Sequence, residues 1–218
     1  DILYAVHQCA RFCNDPKHSH EVGAKRIVRY LKGTVNEGII LKPDTKKGFE
    51  CFVDADFAGS WSPDQALDPA ACLSRTGYII FFAGCPLIWS SKMQSTIALS
   101  TTEAECTALS TSMRDVIYLL NLVDEFKEHG VNLPNAIKPH ITCRVFEDNV
   151  GAMEPANTPK LRPRTEHLAA QLHHFRQHLI DKRVTVERVA TQHQLADIFT
   201  KPLPRDAFQY LRGRILGW

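Results

Sequence analysis

Residues 49–57 read FECFVDADF, and the alternation along them is that of a β-strand. An ionised Asp54 inside so apolar a strand is costly unless it is paired or holds a metal. The ordinary alternative is an Asp at a strand end or edge, open to solvent. Asp56 shares the face of Asp54 because side chains alternate with period two, and spacing alone does not choose between the pair.

Working outward, a loop rich in Ser, Pro and Asp leads to TGYIIFFAGCPLIWSS (76–91), which predicts two strands joined by a turn at 83–86. A long helix is expected over 101–128, with Leu109, Ser112, Val116, Leu120 and Val123 on one face. A strand over 141–146, a short helix near Asn149, a basic His-rich helix over 165–181, a strand over 184–189 and short helices over 195–200 and 207–216 follow. Upstream, apolar spacing predicts helices over 2–13 and 19–31 and a short strand over 38–41, and the polar run KPDTKKG (42–48) is the best boundary. The order gives an α/β class with a mixed sheet and helices packed on it.

At 218 residues, 44% hydrophobic and 23% charged, the chain can bury a full core, which excludes disordered, collagenous and disulfide-scaffold classes. The net charge of +2 hides an uneven distribution. Residues 1–47 carry 9 Lys and Arg against 5 Asp and Glu, residues 48–158 carry 6 against 14, and residues 159–218 carry 11 against 5. Basic ends around an acidic middle suggest a polyanionic ligand with a metal held between. Seven cysteines without a CxxC pair suggest reduced thiols in an intracellular protein. No signal peptide or membrane span is expected: the longest apolar stretch, 78–89, is broken by Gly84 and Pro86.

Ser100-x-x-Glu103 is a capping-box pattern, which gives Glu103 a structural task, although Thr102-x-x-Glu105 fits as well. Glu105 leads onto the helix face that packs on the sheet, where a carboxylate wants a cation. Asp148 stands where a strand runs out, the usual position for a site residue in an α/β sheet; as a helix N-cap it competes with Asn149. Asp197 alone reads as a solvated helix residue. Clustered, four carboxylates could not all stay ionised without counter-ions, and hard oxygen ligands select Mg²⁺ or Mn²⁺.

DADFAGS (54–60), SRTGYIIFFAGCPLIWSSKMQSTIALSTTEAECTALS (74–110), FEDNVGA (146–152), RTEHL (164–168) and QLADIFTKPL (194–203) together resemble the C-terminal end of the Pol polyprotein of copia-type LTR retrotransposons. Residues 1–41, including KRIVRYLKGT (25–34), resemble the tail of the preceding reverse transcriptase, and the domain division places the end of that tail at residue 48. The resemblance implies that residues 49–218 form a ribonuclease H-like fold, a five-stranded mixed sheet flanked by helices, with residues 1–48 as an N-terminal helical extension. It implies a metal-dependent endonuclease that hydrolyses the RNA strand of RNA/DNA hybrids. Its catalytic and metal-binding set falls on Asp54, Glu105, Asp148 and Asp197, with two Mg²⁺ ions for which Mn²⁺ can substitute. Asp56 and His193 become auxiliary candidates. Two positions depart from the family pattern: Cys106 replaces an aromatic, and Glu147 replaces a small residue or Cys. The YVDD-type polymerase motif is absent, so DNA synthesis is not expected.

Lys160, Arg162, Arg164, Arg176, Lys182 and Arg183 are candidates for a hybrid-binding edge, against the plainer reading of solubilising charge. His167, His173, His174 and His178 share one helix, where phosphate contact or a neutral exposed face is favoured over metal binding. Trp61, Trp89 and Trp218 are expected to pack rather than stack on bases. The expected partners are an RNA/DNA hybrid and the remainder of the polyprotein, with no membrane. The expected location is intracellular, in a cytoplasmic virus-like particle if the element is active. The competing reading is a catalytically silent remnant, or a hybrid-binding module, on the same fold.

Overall fold

In a computed structural model of the protein, which describes residues 1–61, 63, 67–131, 141–157 and 166–218, the alternating stretch forms strand β1 (Phe49–Asp56). β1 pairs antiparallel with β2 (Arg75–Phe82), which pairs antiparallel with β3 (Cys85–Met93). On its other side β1 pairs parallel with β4 (Cys143–Glu147), which pairs parallel with β5 (Val184–Arg188). The result is the expected five-stranded mixed sheet, in the order β3-β2-β1-β4-β5.

Both faces of the sheet are covered. Phe49, Cys51 and Val53 of β1 pack with Tyr78 and Ile80 of β2 against the long helix α3 (Thr101–Glu128), through Leu109, Met113, Val116 and Leu120. Ala152 of α4 (Val150–Asn157) and Leu172 and Phe175 of α5 (Glu166–Ile180) close that layer. On the opposite face Ile79 and Phe81 meet Ile198 and Phe199 of α6 (Asp197–Thr200) and Leu211 and Ile215 of α7 (Arg205–Leu216). Burying β2 on both faces explains why RTGYIIFF reads as a nearly continuous apolar run.

The hairpin turn is tighter than 83–86. Phe82 pairs with Cys85, leaving Ala83 (φ 53°) and Gly84 (φ 75°) as a two-residue turn with both φ values positive. Pro86 lies inside β3, an edge strand that tolerates its missing N–H, beside a register shift at Ile80/Phe81.

Residues 1–48 hold α1 (Leu3–Ala10) and α2 (His18–Gly33), neither with a fully buried residue. α1 is shorter than the 2–13 expected. The strand expected over 38–41 does not form: Ile40 N–H donates to the Leu216 carbonyl at 2.8 Å, and Trp218 Nε1 to the Gly38 carbonyl at 2.6 Å. The segment found the end of α7 rather than a strand. Among the described residues no helix is long and apolar enough to cross a membrane.

Gly77 fixes how closely α6 approaches the sheet. It lies opposite Asp54 in the β1–β2 register, and a Cβ there would come within 2.5 Å of Thr200 Cγ2, 2.9 Å of Phe199 Cβ and 3.1 Å of the Ala196 carbonyl. Gly77→Ala is therefore expected to push α6 outward and destabilise the protein by about 1–3 kcal/mol, as overpacking does. Chemical denaturation of the variant checks this.

Candidate metal centre

Strand register brings the first two carboxylates together. Phe52 pairs with Phe146 across parallel β1 and β4, so two residues further on Asp54 stands level with Asp148, just past the end of β4. The third comes from α3. Gln94, buried after β3, donates from Nε2 to the Ala104 carbonyl at 2.9 Å and to Thr76 Oγ1 at 3.1 Å, tying the start of the helix to the sheet. One residue on, Glu105 is 6% exposed and points to the same end of the sheet. Carboxylate oxygens of Asp54, Glu105 and Asp148 lie within 4.8 Å of one another.

The two capping ambiguities resolve. Ser100 Oγ accepts the Glu103 N–H at 3.1 Å, and a Glu103 carboxylate oxygen accepts the Leu99 N–H at 2.8 Å, so Glu103 completes the helix cap and Glu105 is left for the site. Asn149 Oδ1 accepts the Gly151 N–H at 2.8 Å, while Asp148 accepts a hydrogen bond from Thr191 Oγ1 at 2.8 Å. Asn149, not Asp148, serves the start of α4.

Asp197 stands outside that three-residue cluster but is joined to it by Lys201. Lys201 Nζ is 2.9 Å from Asp197 Oδ1 and 3.5 Å from Asp54 Oδ1. Thr200 Oγ1 donates to the other oxygen of Asp54. Two further bonds hold α6 in place: Ser91 Oγ donates to the Phe199 carbonyl at 2.6 Å, and the fully buried Gln194 donates from Nε2 to the Val53 carbonyl at 2.8 Å. Thr200, Lys201, Gln194 and Thr191 were not singled out in the sequence, although Lys201 follows Asp197 by four, the spacing of helical neighbours.

The electrostatics call for a cation. Burial, then the charges of Glu147, Asp54 and Asp148, push the Glu105 carboxyl up to about 11. Burial, then Asp54, lifts Asp197 to about 7. Burial also raises Asp54, against the opposing pull of Lys201 and Thr200. Two like charges about 4 Å apart repel by about 4 kcal/mol at an effective dielectric of 20. One oxygen of Glu105 is buried without a hydrogen-bond partner. A group of carboxylate oxygens with an orphaned buried member fits a hard divalent ion such as Mg²⁺ or Mn²⁺.

Glu147 is a fifth carboxylate. It is fully buried on the α3 side of β4; one oxygen accepts the Asn149 N–H at 3.0 Å and the other has no partner. Burial pushes it up to about 8 despite the Asn149 N–H. Asp56 is raised by burial and by Asp54, but its carboxylate curls over Gly59, where a Cβ would fall 1.6 Å from Asp56 Oδ2. It does not join the three-residue cluster.

The remaining candidates are spread. His193 lies in a short helical turn (Thr191–His193), exposed, with Nδ1 2.7 Å from the Tyr210 hydroxyl. Lys160, Arg162 and Arg164 lie outside the described residues, as does the side chain of His167. Arg176 is half-buried on α5 and Lys182 is exposed. Arg183 pairs with Asp124 at 2.5 Å. Lys182 and Arg183 precede β5, which runs parallel to β4, so they stand at the opposite end of the sheet from the carboxylates. His173 and His174 are exposed, and no His-containing cluster among the described residues has ligand atoms close enough for a metal. Trp61 and Trp89 do not pack inside as expected: they are 52% and 44% exposed. Trp218 stacks on Arg212, with the guanidinium 4.0 Å from the ring centre. All seven cysteines are free.

Comparison with known proteins adds descent to this geometry. The chain is 35% identical over 215 residues to the retrovirus-related Pol polyprotein from transposon RE1 of Arabidopsis thaliana, and 34% identical to that from transposon RE2 of the same plant. It is 30% identical over 211 residues to the polyprotein from transposon TNT 1-94 of Nicotiana tabacum. These alignments take in 96–99% of this chain but 14% of each polyprotein. A ribonuclease H1 isolated from compost matches 75% of this chain and 96% of its own at a TM-score of 0.47 and 14% identity. The N-terminal ribonuclease H domain of a Mycobacterium tuberculosis protein matches 75% of this chain and 95% of its own at a TM-score of 0.45 and 16% identity. No protein-family model matches.

Proposed function

We propose that this chain, a homologue of one segment of the transposon Pol polyproteins, is the ribonuclease H part of a copia-type reverse transcriptase: a divalent-metal-dependent endonuclease that hydrolyses the RNA strand of RNA/DNA hybrids. The observation that carries this reading is the gathering of Asp54, Glu105 and Asp148 within 4.8 Å at one end of the mixed sheet. In this reading residues 1–48 are the tail of the polymerase and residues 49–218 the nuclease.

Asp54, Glu105, Asp148 and Asp197 would hold two Mg²⁺ ions, with Mn²⁺ as a substitute. When bound, such a pair supplies activation of the attacking water and neutralisation of the leaving 3′ oxygen. The chain's own part is orientation. Thr191 fixes Asp148, Thr200 fixes Asp54, and the cap at Ser100–Glu103 keeps Glu105 aimed at the strand ends. Asp54 sits between Asp148 and Lys201 and is the natural shared ligand. Products would carry 5′-phosphate and 3′-hydroxyl ends. The silent-remnant reading has less support, because a decayed copy loses ligands and all four carboxylates are present.

The test is a strand-labelled panel: RNA/DNA hybrid, RNA duplex and DNA duplex, offered in Mg²⁺ to this chain alone and joined to the polymerase portion of its polyprotein. Cleavage of the RNA strand of the hybrid alone, strengthened by the polymerase portion, is the expected result. Hybrid bound but uncut by the intact polyprotein would favour the binding-module reading.

A further inference from the structure

Lys201 belongs to neither the carboxylate set nor a hybrid-binding edge, yet it reaches the middle of the site. It caps the C-terminal end of α6, and its Nζ lies between Asp197 Oδ1 and Asp54 Oδ1 at 2.9 and 3.5 Å. Its side chain is 32% exposed, whereas those of Asp54 and Asp197 are 3% and 9% exposed. The ammonium thus has a route to solvent that the two carboxylates lack. A lysine suits such a post: a compact charge on a flexible four-carbon stem can swing away, where a forked guanidinium held by two hydrogen bonds is less easily released.

We propose that Lys201 is a built-in competitor for divalent ions, setting how tightly the Asp54–Asp197 side of the site takes one. This rests on the metal-dependent reading above. The two sides of the site are then unequal. Among the described residues no lysine or arginine is ion-paired with Glu105 or Asp148, whereas Asp54 and Asp197 both face Lys201 Nζ. On the Asp197 side a cation is already supplied by the chain, and a divalent ion must displace Nζ or bind against its charge.

Direct Mn²⁺ binding to the whole chain, without nucleic acid, reads this independently of cleavage. Lys201→Met is expected to tighten the weaker Mn²⁺ class by about tenfold, while Lys201→Arg, which keeps the charge and is less easily displaced, gives no tightening and weakens that class by up to about tenfold. Unchanged or weaker binding by Lys201→Met overturns the proposal, and so does equal tightening by Lys201→Arg. Should Lys201→Met fail to fold, the wild type carries the test by NMR. The Lys201 side-chain Nζ signal is expected to shift as Mg²⁺ is added, when Nζ leaves its partners; a signal unchanged at saturation overturns the proposal. Failure of the metal reading itself looks different: the wild type would bind no Mn²⁺ at all.

Discussion

Asp148→Asn is expected to lower metal-dependent hybrid cleavage by at least about 10²–10³-fold while leaving the fold intact. Asp148 is half-buried at the end of β4, and Thr191 holds it by one hydrogen bond that an Asn oxygen can also accept. The substitution therefore costs little packing. What it removes is one of three carboxylates whose oxygens lie within 4.8 Å. Metal-derived stabilisation of a phosphoryl transition state is worth several kcal/mol, and each ~1.4 kcal/mol lost is tenfold in rate. Asp56→Asn is the matched control: it removes a charge two residues from Asp54, but from a side chain folded over Gly59, and a loss below about threefold is expected. Rates from the polymerase-joined protein check both. Equal losses at the two positions would move the site.

Without metal, the thermal midpoint is expected to fall by roughly 5–10 °C between pH 5 and pH 9, and Mn²⁺ should restore most of that loss at pH 9 and little at pH 5. The sign follows from the carboxylates. Burial raises Glu147 to about 8, Asp197 to about 7 and Glu105 to about 11, each above its ordinary value. Between the ordinary and raised values the folded state binds more protons than the unfolded one. Stability is thus greatest at low pH and lost as pH rises through the folded-state values. A shift of that size equals about 2–3 kcal/mol for a protein of this length. A divalent ion binds the ionised carboxylates, so its stabilising effect grows in the same direction. Unfolding curves in EDTA and in Mn²⁺ across that range decide it. Flat behaviour without metal would mean that water or other charges already compensate the cluster.

Much of this was legible from spacing alone. The period-two run at 49–57 and the helical face through Leu109, Val116 and Leu120 each report burial on one side, which is what the sheet and α3 impose. That face also separated Glu105 from Glu103. The course of residues 38–41 was not legible: a short apolar run reads as a strand but needs a strand partner, and its backbone donor went to the end of α7 instead. Lys182 and Arg183 looked like neighbours of the other basic residues, but chain direction at β5 sends them to the far end of the sheet. Gln194 was overlooked because its role exists only across distant chain segments, with the Val53 carbonyl; Lys201 had a local sign in its i,i+4 spacing from Asp197, but its contact with Asp54 is likewise distant. Glu147 stood out as an odd residue; only its complete burial beside the cluster shows it as a source of charge strain on Glu105.

The claim on which everything else rests is that these carboxylates form a divalent-ion centre. Crystals of the whole chain grown with Mn²⁺ and measured at the manganese absorption edge test it most directly. The expected result is an anomalous peak within bonding reach of Asp54, Glu105 and Asp148, and a weaker second peak shared by Asp54 and Asp197. Well-ordered carboxylates with no anomalous peak near Asp54, at Mn²⁺ concentrations that saturate binding in solution, would contradict it.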